Sequence, residues 1–351
     1  MSFLEAIDHL GFVGWLIVAG AILFDLANGW NDASNAIATV VCTRVLKPIT
    51  AVLFGAVFNF LGALVAGEVA KTVGKEIADP KLLTSATYIA ALVAAPLWIT
   101  VCTWRGLPIS CSHSLMGALV GAVIATAGNE AIHGAGIKKI VIGIFTSPII
   151  GFLLGMAVVT AVCWICRRWR PTRVNSVFGK LQIVSAGYMA FSHGTGDAQK
   201  AMGIITGALM AGGAASSADW HIPMWVRITC AVAMGVGSFV GGWAVIRTMG
   251  SRLSHINTYE GFAAEVGAAT TILVCTSQGI PLSTTHSITG SITGVAAAKG
   301  MRRVRWEVGK KILYAWLLTF PVCIGLGFLL SKLLGIWITG SVGDAAPVEG
   351  G

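Results

Sequence analysis

The chain has 351 residues, of which 55% are hydrophobic and only 11% charged; its mean hydropathy is +0.79 and its formal net charge +9. A water-soluble chain of this length needs far more charge to cover its surface, so the composition argues against a soluble enzyme or nucleic-acid binder and for a polytopic membrane protein. The excess positive charge falls mostly in short loops between apolar runs, a pattern of membrane orientation rather than of a basic binding stripe.

Apolar segments follow one another over 11–27, 49–70, 86–104, 111–127, 139–165, 181–200, 201–214, 224–246, 261–277, 284–298 and 311–338. The stretch 181–214 is ambiguous: read as one crossing broken at its centre, it gives five crossings in each half. With an outside N-terminus, the inside loops are then 42–48, 105–109, 166–180, 247–260 and 299–311, which hold 16 of the 24 Lys and Arg residues. That bias supports the count and places both termini outside. The division expected is a first transmembrane repeat over 1–165, a basic cytoplasmic loop over 166–180, a second, inverted repeat over 181–340 and a polar tail over 341–351. The eight cysteines sit singly, without zinc-type or redox spacing, and read as small buried hydrophobes.

The repeat is written in two motif pairs. Asn28-Gly29-Trp30-Asn31-Asp32-Ala33-Ser34-Asn35-Ala36 returns as His193-Gly194-Thr195-Gly196-Asp197-Ala198-Gln199-Lys200-Ala201, and Pro108-Ile109-Ser110-Cys111-Ser112-His113-Ser114 returns as Pro281-Leu282-Ser283-Thr284-Thr285-His286-Ser287. The Asp copies are 165 residues apart and the His copies 173, so one fold unit occurs twice. An odd number of crossings per unit makes the two copies enter the membrane from opposite sides. The expected fold is therefore an all-α polytopic membrane protein, an inverted-topology repeat of two five-span halves with broken helices or re-entrant segments. That architecture serves carriers that alternate access around a midplane site.

An ionised carboxylate within the membrane needs a metal ion, a proton or dense hydrogen bonding. Asp32 and Asp197 are accordingly candidate ligands of a coupling cation and, if that ion is sodium, its metal ligands; capping of a half-helix is the plainer role and is compatible with the first. Asn28, Asn31, Asn35 and Gln199 add amide oxygens for a hard cation and amide N–H groups for an oxyanion. The glycines at 29, 194 and 196 suggest a helix unwound at the motif. Lys200, where the first copy has Asn35, is open to three readings: a fixed counter-charge to Asp197, an attractor of anions, or a side chain snorkelling to an interface.

The two Pro-containing segments read as breaks followed by half-helices, with Pro108 and Pro281 in first turns and with Ser110, Ser112, Ser283, Thr284 and Thr285 capping them. Two such N-termini facing inward form a cage of the size of phosphate or sulfate. Ser114 and Ser287 equally suit the satisfaction of carbonyls within packed helices. His113, His193 and His286 are candidates for carrying coupling protons, a structural role being the alternative, and neither histidine pair has metal-site spacing. Glu265 lies deep in an apolar span where the first half has Leu92, which makes it a candidate proton or sodium ligand.

These four motifs, in this order and from Phe24 to about Gly300, closely resemble those of the inorganic phosphate transporter (PiT) family, whose halves each carry a Gly-Ala-Asn-Asp-like signature and a Pro-(Ser/Val)-Ser-(Ser/Thr)-(Ser/Thr)-His segment. The resemblance implies secondary active uptake of orthophosphate by symport with a proton or sodium ion, no bound cofactor, and, as in some bacterial members, uptake as a complex with Mg2+ or another divalent metal. It implies Asn31, Asp32 and Asp197 as signature residues, phosphate contacts among Ser110, Ser112, Ser283 and Thr285, a homodimer, and a bacterial inner membrane. The chain departs from the family at Gly196, where an Asn is usual, and at Trp30, where Ala is usual, a bulk that would crowd an unwound segment. Symport of sulfate or another tetrahedral oxyanion is the alternative; the carboxylates favour phosphate, which can donate a hydrogen bond to them. An anion channel is disfavoured by the same carboxylates.

Overall fold

In the computed structural model the described residues are 3–65, 67–212, 220–249, 253 and 256–336, with the side chains of 3–10 and 33 outside the description. The expected polar tail over 341–351 lies outside these residues. The described chain is helical: α1 (Phe3–Cys42), α2 (Pro48–Leu64), α3 (Glu68–Lys71), α4 (Ser85–Trp104), α5 (Cys111–Ala127), α6 (Gly134–Ile165), α7 (Pro171–Ala211), α8 (Met224–Val240), α9 (Trp243–Arg247), α10 (Thr258–Ser277), α11 (Thr284–Ala298) and α12 (Trp306–Gly335). No β-sheet is present among the described residues, only an isolated bridge between Ala78 and Ile132. Helices satisfy every backbone donor and acceptor within the segment, which hydrocarbon demands.

The helices pair across the repeat. Helix α1 packs on α8 and its counterpart α7 on α2; α5 packs on α12 and its counterpart α11 on α6; α4 lies against α1 as α10 lies against α7. Each half is thus completed by the other, and the chain folds as an inverted repeat of two interlocked halves. Glycines carry the interlock: a Cβ on Gly194 would sit 2.0 Å from the Asn59 carbonyl oxygen, and one on its repeat partner Gly29 2.6 Å from that of Met234. Any larger residue would separate these helices.

Four helices, Gly11–Cys42 of α1, α4, α6 and α12, are long and apolar enough to cross a membrane, and α2 with the α3 segment forms a further pair bent by 66°. The outer faces of α6 and α12 expose Phe145, Ile149, Leu153, Leu313, Leu317 and Leu329, an apolar belt suited to lipid. Contacts join the described parts of several loops rich in Lys and Arg. Glu260 closes a capping box with Asn257 at the start of α10 and pairs with Lys299 at 2.9 Å and Arg303 at 3.2 Å, Thr258 bonds Asn175, and Thr248 donates to the Gly106 carbonyl.

Three expectations change. Residues 181–211 of the ambiguous stretch belong to one helix, α7, which begins at Pro171 with proline in its first turn and so also takes in most of the 166–180 loop; 213 and 214 lie outside the described residues. Both Asp motifs lie in unbroken helix; within α1 the one non-helical residue is Gly11, far from the motif. Gly29 and Gly194 serve close approach between helices rather than unwinding, Gly196 faces the side chains of Thr276 and Ile272, and the half-buried Trp30 has no unwound segment to crowd. The discontinuities fall instead between α2 and α3, at Gly241–Gly242 between α8 and α9, and at 105–110 and 278–283. Pro108 and Pro281 lie in the last two of these, ahead of the N-caps Ser110 and Ser283 rather than in first turns.

Candidate functional site

The spacing of the motif residues makes sense on continuous helices. Asn28, Asn31, Asp32 and Asn35 recur at intervals of three and four, as do His193, Asp197 and Lys200, so each set forms one polar stripe. The stripes of α1 and α7 face each other in the interior, and all seven side chains are buried. Asp32 and Asp197 meet around two bridging groups that are themselves repeat partners. His193 Nε2 lies 3.4 Å from Asp197 Oδ2 and 4.0 Å from Asp32 Oδ2. Asn28, its amide oriented by these acceptors, donates to Asp32 Oδ2 at 3.0 Å and to Asp197 Oδ2 at 3.2 Å.

Asp32, His193 and Asp197 each offer a ligand atom, and these atoms all lie within 4.8 Å of one another, a set able to hold a metal ion. The spacing of the His113 and His286 pair gives no hint of this, because the third ligand comes from a histidine one turn from Asp197 on a helix that only the fold sets beside α1. Asn59 of α2 orients that ring, its Oδ1 accepting from His193 Nδ1 at 2.9 Å while its Nδ2 donates to Ser238.

The N-termini of α5 and α11 converge on the carboxylates. Ser110 and Ser283 each cap their helix by accepting the N–H of His113 and His286, at 3.1 and 3.2 Å. Thr285 lies 2.9 Å from Asp32 Oδ1 and 2.8 Å from the Ile109 carbonyl, as its repeat partner Ser112 lies 2.8 Å from the Leu282 carbonyl. Thr284 approaches Asp197 Oδ2 at 3.4 Å. Asn35 donates to both Asp32 Oδ1 and Thr285. Ser114 and Ser287 donate to the carbonyls of Ser110 and Ser283, the plain structural role. The His113 and His286 rings meet edge to face with centroids 4.8 Å apart, and His286 stacks on Trp316 at 3.7 Å.

Glu265 is not part of this cluster. Its carboxylate is held by the hydroxyls of Thr39 and Ser185 and by the Gln182 amide at 3.3 Å. Thr39 follows Asp32 by seven residues, roughly 10 Å along α1 at ~1.5 Å per residue. In the other half the corresponding place is apolar: Leu92 lies over Gly20, which stands where Ser185 does, and a Cβ added at Gly20 would sit 3.1 Å from the Leu92 Cβ. Gln199 turns away as well, accepting the Ala70 N–H and donating to the Thr195 carbonyl.

Several residues escaped the sequence reading. Asn59, Gln182, Ser185, Thr39 and Thr103, the last an acceptor for Asn31 at 2.6 Å, each stand singly in an apolar run. So does Asp25, fully buried beside Cys230. A lone polar residue inside a spanning helix was the available signal.

A multi-span helical frame built from two inverted halves, with buried carboxylates of both meeting at its centre, defines a membrane transporter of the inverted-repeat class. The phosphate transporter family model matches residues 28–327, and the chain belongs to that family. Over 307 residues it is 45% identical to a probable low-affinity inorganic phosphate transporter of Rhizobium meliloti, a match covering 87% of this chain and 91% of that one. Over 331 residues it is 42% identical to a protein of the same description from Bacillus subtilis, covering 94% and 99%. A solved structure described as the sodium-dependent phosphate transporter has the same fold, with a TM-score of 0.85 at 22% identity over 92% of this chain and 99% of that chain.

Proposed function

We propose that the protein imports inorganic phosphate by symport with a cation, and that the carboxylate pair and the two helix N-termini beside it form one composite site. The observation that carries this reading is the direct contact of Thr285 with Asp32, and of Thr284 with Asp197, at the N-terminus of α11. An anion held by free N–H groups and hydroxyls at the starts of α5 and α11 would lie next to a cation held by Asp32, Asp197 and His193, each offsetting the other's charge. Phosphate contacts are assigned to Asn31, Asp32, Ser110, Ser112, Asp197, Ser283, Thr284 and Thr285. Cation ligation is assigned to Asn28, Asp32, Asn35 and Asp197, with Glu265 as a separate second position. His193 bridges the carboxylates and is the foremost of the three histidines for proton linkage; His113 and His286, in mutual contact, are secondary.

A metal–phosphate complex would use the same Asp-His-Asp set for its divalent ion. The relatives' names, which describe probable low-affinity inorganic phosphate transporters, support phosphate as the substrate; a bacterial inner membrane is the location proposed from the family resemblance. The basic segments 166–175 and 299–305, tied to the start of α10 through Asn175–Thr258 and Lys299–Glu260, support termini on the opposite, outer side. A homodimer is proposed from family resemblance. The test is uptake of radiolabelled phosphate into proteoliposomes under an imposed proton or sodium gradient, with sulfate as competitor. Accumulation driven by one gradient, unaffected by sulfate and lost in Asp32→Asn, is the expected result. Accumulation suppressed by equimolar sulfate, or equilibration without uphill movement, would overturn it.

A further inference from the structure

The two carboxylates at the centre are repeat partners, yet their compensation differs. Asp32 receives only neutral donors, from Asn28, Asn35 and Thr285. Asp197 pairs with the Lys200 ammonium, which stands where the first half has Asn35. Both members of that pair are 1% exposed, so water does not screen them. The other ionisable groups facing this place are His193, between the carboxylates, Asp25, two turns before Asp32 on α1, the neutral Cys111 thiol beside Asp32, and His113 of α5 on the Lys200 side. A carboxylate removed from water requires a nearby opposite charge far more than it requires dipoles. Asp197 has that charge covalently attached to the protein; Asp32 does not. The side that calls for a mobile cation is therefore that of Asp32.

We propose that Lys200 is a tethered cation that replaces one of two mobile coupling ions: its ammonium takes beside Asp197 the place that a sodium-sized monovalent cation takes beside Asp32. A site with Asn in both copies would need two such ions for charge balance, and this chain needs one. The number of cations this central site carries per phosphate, apart from any at Glu265, then follows from the residue at position 200. This rests on the symport reading above, and the measurements separate the two.

Lys200→Asn copies the first half into the second. Purified in detergent without phosphate, at fixed pH and ionic strength, this variant is expected to melt several degrees below the parent in choline chloride and to regain most of the loss in sodium or lithium chloride. The paired variant Asp197→Asn with Lys200→Asn removes both charges together and is expected to show no more sodium response than the parent. In proteoliposomes, the phosphate gradient that balances a given sodium gradient should rise in Lys200→Asn by one further power of the sodium ratio. A sodium response in Lys200→Asn no larger than in the parent, recovery by acid in choline in place of sodium, or failure to fold in every cation would each overturn the proposal. A strong sodium response in the variant with no phosphate uptake by the parent would support the cation assignment of Lys200 and overturn the symport reading instead.

Discussion

The two halves share a backbone plan and diverge at the side chains that line their meeting place. Both lock α1 or α7 against the partner half by a glycine, both start a half-helix with a capping serine, and both present an aspartate at the same level. Around that frame the first half is furnished with amides: Asn28, Asn31 and Asn35. The second has His193, Gly196 and Lys200 in the same places. The cost of the change at Gly196 is visible. Asn31 donates to Thr103, whereas Thr276, the repeat partner of Thr103, has its hydroxyl buried without a hydrogen-bond partner. A further divergence lies at Glu265, seated among Thr39, Ser185 and Gln182 where the first half has Leu92 over Gly20. Helix packing resists change because a shift at one interface must be matched at its twin, while side chains inside the site can be exchanged singly.

Breaking the central ion pair gives the largest expected difference between halves. Lys200→Met leaves Asp197 buried beside an apolar chain and should cost about 3–5 kcal/mol, the range for an orphaned buried charge. Asn35→Ala, at the equivalent place, removes neutral hydrogen bonds worth about 0.6 kcal/mol each on average between membrane helices. Thermal melts of both variants in sodium-free detergent check the ordering; similar losses would mean that Lys200 acts only as a hydrogen-bond donor.

Copying the first half at Glu265 sharpens the contrast further. Glu265→Leu alone should cost about 2–4 kcal/mol, because it leaves Ser185, Gln182 and Thr39 without their acceptor. Adding Ser185→Gly and Gln182→Ile rebuilds the apolar arrangement of Gly20, Leu92 and Ile17 and should recover most of that loss. Recovery in the melting temperature without recovery of phosphate uptake would assign the polar cluster to transport rather than to stability.

The shared interlock predicts a smaller and parallel effect. Gly194→Ala and Gly29→Ala should each destabilise by about 1–3 kcal/mol through overpacking, with Gly194→Ala the worse because its Cβ would stand 2.0 Å from a carbonyl oxygen against 2.6 Å at Gly29. A harmless substitution at either site, measured by melting and detergent-extracted yield, would break the proposed symmetry of the interface. Gly196→Asn should have the smallest effect. A Cβ there would lie 3.3 Å from Thr276 Oγ1 and 3.4 Å from Ile272, tight but yielding, and the new amide can satisfy the Thr276 hydroxyl. A net change within about 1 kcal/mol is expected, with Thr276→Val removing whatever gain the amide brings.

Much of this arrangement was legible in the linear sequence. Composition and charge bias establish a polytopic helical chain, because hydrocarbon admits little charge and the loops carry the orientation signal. The duplicated Asp and Ser/His motifs disclose an internal repeat, and the parity of crossings its inversion. Asp32, Asp197, Thr284 and Thr285 stood out because polar residues are costly in apolar spans. Other features were decided only in three dimensions. Glycine beside a polar motif has the same letters whether a helix unwinds or another helix presses against it, and only the presence of Asn59 and Met234 at the contact decides for packing. Likewise His193 joins the carboxylates, and Glu265 is separated from them, because α7 and α10 are set against α1 by contacts hundreds of residues apart in some cases, such as Thr39 to Glu265. Local periodicity reports which face of a helix is polar; which other face it meets is fixed by the packing of the whole.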